Sequence, residues 1–155
     1  MKAMTCTSRK QEGSMLLEAL IAILIFSFGI LAIVGLQAAS IRLSSDAKYR
    51  SDANLLINRI IGLMWAADRS AATLQNNFQG GGGIDGAVYT AWVADVAAAL
   101  PGVLGVATNK PVISVAPWVG TTTTSSVVTI TVKWKLPGEP AADPSHQAVV
   151  VTQIF

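Results

Sequence analysis

The chain is poor in the residues that carry most enzymatic and metal chemistry. Among 155 residues there is one cysteine, Cys6, and one histidine, His146. Cys6 lies ahead of the long apolar run described below, so the rest of the chain can form no disulfide and offers no thiol nucleophile. Its stability must come from packing. A lone histidine beside a proline-rich loop cannot build the paired-histidine pattern of a zinc site, and the sequence places His146 at a surface or strand end. Charge is scarce as well, with Asp, Glu, Lys and Arg making up 13% of the chain. The net charge of +2 is carried by Lys2, Arg9, Lys10 and Glu12, which leaves eight basic and eight acidic residues elsewhere. A neutral remainder, without basic clusters interleaved with aromatics, predicts no nucleic-acid partner.

Catalytic and ligand-binding motifs are missing in the same way. The polar tract Thr121 to Ser126 has no Gly-x-Ser-x-Gly elbow beside it. Gly80 to Gly83 lack the lysine-serine ending and the preceding strand of a phosphate-binding loop, and are expected to form a flexible turn with Asn76 and Asn77. Asp85, Asp95, Glu139 and Asp143 lack the spacing of an EF-hand, although loop carbonyls could still offer a surface calcium site. The sequence therefore predicts no enzyme and no cofactor.

What the chain does have is a hydrophobic share of 52%, much of it in one stretch. From Ser14 to Leu36 about 23 residues, at about 1.5 Å of rise each, give roughly 34 Å of helix, enough to cross the ~30 Å hydrocarbon core of a bilayer. Lys2, Arg9 and Lys10 precede this stretch and orient it, because basic flanks stay cytoplasmic while the C-terminal part is exported. One charge interrupts the run. An ionised carboxylate in hydrocarbon costs on the order of 3 kcal/mol, so Glu18 calls either for the headgroup level or for a partner.

Gly13, the apolar Met15, Leu16 and Leu17, and Glu18, behind a short basic leader, resemble the processing site of type IV prepilins and type II secretion pseudopilins. The resemblance implies cleavage between Gly13 and Ser14 by a membrane prepilin peptidase and methylation of the new N-terminus at Ser14. Ser14 departs from the family's usual phenylalanine. Glu18 falls on the fifth mature position, where the family's carboxylate docks against the N-terminal amine of a neighbouring subunit. Residues 1–13 are then a leader, 14–36 a transmembrane and filament-core helix, and 37–155 an amphipathic helix with a periplasmic head.

Beyond Leu36 the pattern becomes amphipathic, with Ala53, Leu56, Ile57, Ile60, Ile61 and Met64 at three- and four-residue steps. Arg42 with Asp46, Asp46 with Arg50 and Lys48 with Asp52 are spaced for ion pairs along the helix. No proline interrupts the path to Arg69, which predicts one helix from Ser14 to Arg69. Asp46 to Arg69, including Met64 and Trp65 as core contacts, is similar to the corresponding helix of PilV-type minor pilins. A second helix is expected over Tyr89 to Leu100, ended by Pro101-Gly102. Alternation predicts strands at Pro111 to Trp118, Ser126 to Leu136 and Gln147 to Ile154, with a fourth piece near Val103 to Ala107. The expected fold is α+β: a long N-terminal helix packed on a small antiparallel sheet of three or four strands, as in pilins.

On that resemblance the protein is a minor pilin, processed and built into a type IV pilus whose assembly it primes or modifies, and thereby affects adhesion and twitching motility. The implied partners are prepilin peptidase, other major and minor pilins, inner-membrane lipid before assembly and the inner-membrane assembly platform. The implied location is a single pass through the inner membrane, then the fibre on the cell surface. Two alternatives are compatible with the sequence. A minor pseudopilin of a type II secretion system would carry the same leader and helix, and a periplasmic enzyme or binding domain held by a signal anchor would carry the apolar run alone.

Overall fold

The computed structural model describes residues 12–118, 125–140 and 142–155. It is an α+β structure in which a long N-terminal helix packs on a three-stranded antiparallel sheet. Helix α1 runs from Glu12 to Ala66 and is followed by α2 (Ala71–Phe78), α3 (Ala87–Ala99), a 3-10 turn (Ala107–Asn109) and strands β1 (Val112–Pro117), β2 (Ser126–Trp134) and β3 (His146–Ile154). The chain divides into two compact units, Met1–Leu43 and Ser44–Phe155.

In the second unit the apolar stripe of α1 is the floor of the core. Ala53, Ile57, Ile60 and Met64 are fully buried at the spacing expected of one helix face, whereas Trp65 is partly exposed and sets its ring edge-on to Phe155. Helix α3 buries Tyr89, Trp92, Val93 and Val96. It is tied to α1 at two points: Trp92 Nε1 donates to the Leu56 carbonyl at 2.9 Å, and Arg59 pairs with Asp95 at 2.8 Å. Strand β2 lies centrally and alternates without a break, burying Ser126, Val128, Ile130, Val132 and Trp134. The fully buried apolar side chains each contribute about 1.5–3 kcal/mol.

Three expectations change. The long helix ends at Ala66 rather than Arg69, and a separate helix, α2, occupies residues read as loop. Its start is fixed by capping: Ser70 Oγ accepts from Thr73 N, while the Asp68 carboxylate takes the Ser70 N–H and the Thr73 hydroxyl. Its apolar face is Leu74 and Phe78, one turn apart and buried. The piece at Val103 to Ala107 is no strand. Gly102 takes a left-handed φ of 70°, and Asn109 Nδ2 donates to its carbonyl at 3.0 Å, which folds the segment into a tight connection ending in the 3-10 turn. Of the Thr121–Ser126 tract, residues 121–124 lie outside the described residues. Ser125 and Ser126 are buried beside and within β2.

The two edges of the sheet differ. Ile113 exchanges both main-chain bonds with Gly80, so the groups of β1 at odd-numbered positions face away from β2. Every donor on that outer edge is met or missing. Val115 N–H is covered by Gln79 Oε1 at 3.4 Å, Val115 O by Gln75 Nε2 at 3.0 Å and Pro111 O by the Tyr89 hydroxyl at 2.6 Å. Pro111 and Pro117 have no N–H to offer. Helix α2 thus closes one edge of the sheet.

Candidate functional site

The residues singled out by the sequence lie on the first unit. Glu12 and Gly13 open α1, and the helix continues through Ser14 to Glu18 without a break. Ser14 and Glu18 are both exposed and one turn apart, about 6 Å along the axis. The leader charges Lys2, Arg9 and Lys10, and Cys6, lie outside the described residues.

From Ser14 to Leu43 every residue is exposed. Seventeen of them are large apolar side chains, from Met15 to Leu43. At about 1.5 kcal/mol or more for each side chain moved out of water, the surface represents tens of kcal/mol of unmet burial. That exceeds by several-fold the ~3 kcal/mol that one carboxylate costs in hydrocarbon. The segment has a mean hydropathy of 2.8 over its most apolar window, and it is long and apolar enough to cross a membrane. Its hydroxyl at Ser27 is satisfied within the helix, donating to the Ile23 carbonyl at 2.7 Å, so it adds no polar demand. Around Gly29 and Gly35 a methyl group would meet nothing within 4 Å. No contact among the described residues requires glycine there.

No family model, curated protein or solved structure matches the chain. The site therefore rests on its own chemistry: a continuous apolar helix surface, one carboxylate near its start, and a glycine one residue before Ser14.

The second unit gathers no metal-ligand cluster among the described residues. Several of its carboxylates are engaged in hydrogen bonds within the chain. Asp85 accepts from Lys110 at 2.7 Å and from the Gly81 N–H at 2.9 Å, and these bonds hold its carboxyl below the usual aspartate range. Glu139 is lowered chiefly by the hydrogen bond to His146 Nε2 at 2.8 Å, and it also accepts from the Leu136 N–H at 3.0 Å. Burial, with the Asp85 charge, pushes the Tyr89 hydroxyl up to about 12, which keeps it a donor to Pro111.

His146 is the residue whose setting the sequence did not disclose. It opens β3, stacks on Trp134 with ring centroids 5.9 Å apart, and places Nδ1 3.3 Å from Asp46 Oδ1 on α1. That oxygen is within ion-pair distance, although it has no hydrogen bond of good geometry. Both ring nitrogens thus face carboxylates. Asp46 and His146 are a hundred residues apart, and no local spacing signals their meeting. The arrangement clamps α1 to the β2–β3 connection.

Proposed function

We propose that this chain is a minor type IV pilin of the PilV type, an assembly component rather than a catalyst. Prepilin peptidase cuts between Gly13 and Ser14 on the cytoplasmic side, and the new N-terminus at Ser14 is methylated. Before assembly the apolar half of α1 holds the subunit in the inner membrane with the head in the periplasm. At the assembly platform that half moves from lipid to the helices of other major and minor pilins in the filament core, exchanging one apolar environment for another at little net cost. Glu18 then guides docking by charge complementarity with a neighbouring N-terminal amine. The head, carried on the fibre, primes or modifies pilus assembly and with it adhesion and twitching motility.

One observation carries this reading: a helical stretch from Ser14 to Leu36 that is exposed and apolar all round, with its one carboxylate a turn beyond Ser14 and a glycine before it. The experiment is intact-mass measurement of membrane-extracted protein from cells with and without prepilin peptidase. A chain beginning at Ser14 only when the peptidase is present is the expected result. A chain beginning at Met1 in both samples overturns the proposal.

A further inference from the structure

The contrast between the two sheet edges bears on a partner. With the odd-numbered positions of β2 turned toward β1, its even-numbered positions exchange bonds with the even-numbered positions of β3. The N–H and C=O groups of Gln147, Val149, Val151 and Gln153 therefore point away from the sheet, and none has a partner among the described residues. Val149 and Val151 are also 50% and 63% exposed. The usual protections of a strand edge are missing, since Gln147 to Ile154 contains no proline, no charge and no bulge. The opposite edge is closed by Gly80, Gln75, Gln79 and Tyr89, so the open edge is not a general habit of this fold.

The open edge is also self-complementary. Gln147-Ala148-Val149-Val150-Val151-Thr152-Gln153 reads nearly the same in both directions about Val150. Laid antiparallel on a second copy about an axis through Val150, Val149 stands opposite Val151 and Gln147 opposite Gln153. In both pairs the outward main-chain groups meet, so each pair exchanges its two bonds. Val150 meets itself in a non-hydrogen-bonded position. A register slipped by one residue would set outward groups against inward ones and lose every bond. We propose that the outer edge of β3 is the contact of a two-fold dimer of this chain, joining two three-stranded sheets antiparallel across Val150. The interface is isologous, as closed symmetry demands. It does not depend on the pilin assignment.

Cysteine cross-linking of the full-length chain in detergent tests it, in a Cys6→Ser background. Val150→Cys sets two thiols across the axis at about 4.5 Å between Cα atoms, within disulfide reach. Gln153→Cys sets like thiols about 20 Å apart along the strand. Val150→Cys should give a disulfide dimer under mild oxidation at least tenfold more readily than Gln153→Cys alone. Co-expressed Gln147→Cys and Gln153→Cys chains should link only to each other. Val151→Pro, which removes an N–H that makes no bond among the described residues, should keep the head's circular dichroism and melting transition while abolishing the dimer. Equal cross-linking of Gln153→Cys alone, a Val150→Cys chain that stays monomeric or links only to other proteins, or a Val151→Pro chain that melts normally and still dimerises would each overturn the proposal.

Discussion

At the scale of single residues, two side chains are set against their surroundings in opposite ways. Glu18 is the one charge between Ser14 and Leu36, on an apolar surface whose burial is worth tens of kcal/mol, so its own cost of about 3 kcal/mol does not decide whether the segment inserts. Glu18→Ala is therefore expected to leave membrane extraction unchanged while lowering incorporation into purified fibres; fibres containing the usual amount of the variant would remove the docking role. Ser126 is the reverse case, a hydroxyl 1% exposed within β2 with no hydrogen-bond partner among the described residues. An unmet buried polar group costs about 1–3 kcal/mol, and its loss leaves little cavity. Ser126→Ala, which replaces the hydroxyl by hydrogen, should match or exceed the parent by up to about 1 kcal/mol in thermal or urea unfolding; a clear loss would show that the hydroxyl is bonded.

At the scale of elements, the four-glycine run shows how unevenly one composition is used. The sequence presents Gly80 to Gly83 as a uniformly permissive turn. In the fold a methyl at Gly80 would collide with the Tyr89 ring, and one at Gly81, where φ is 88°, with the Pro111 carbonyl. Gly82 and Gly83 have open space around them. Gly80→Ala should therefore lower stability by about 1–3 kcal/mol, the usual cost of overpacking, and loosen the closed edge of β1. Gly83→Ala should stay within about 0.5 kcal/mol of the parent. Equal losses in a denaturant titration would show that the loop does not hold Tyr89 as described. Helix α2 carries the same lesson. Asn76 and Asn77 beside a glycine run read as loop, and the Leu74–Phe78 pair behind the Ser70 cap is a single apolar turn with little periodicity to detect.

At the scale of the whole molecule, three carboxyls are held below their usual range by partners far apart in the chain or across a turn. Glu139 is lowered first by His146, Asp85 first by Lys110 and Asp68 first by the Ser70 N–H. A depressed folded value means that the unfolded chain takes up protons at higher pH than the folded one. The stabilisation from these groups is complete above the ordinary values of 3.8 for aspartate and 4.5 for glutamate, and is lost as pH falls through the lower folded ones. The melting temperature of the head should fall on acidification below about pH 4, and Asp85→Asn with Glu139→Gln should flatten that slope while lowering stability at pH 6. A slope unchanged in the double variant would assign acid sensitivity to other groups. What the sequence determined alone was whatever depends on near neighbours along the chain: a span of sufficient apolar length, the buried stripe of α1, the alternation of β2, and the glycine, serine and glutamate of the candidate processing site. Periodicity carries those because each helix turn or strand step repeats the same environment. Only the tertiary structure decided which groups would meet across distance, the Asp46–His146–Glu139 clamp, the closing of β1 by α2 and the edge of β3 left open. Those outcomes depend on how elements pack and which main-chain groups each leaves facing out, and no spacing within a single element encodes them.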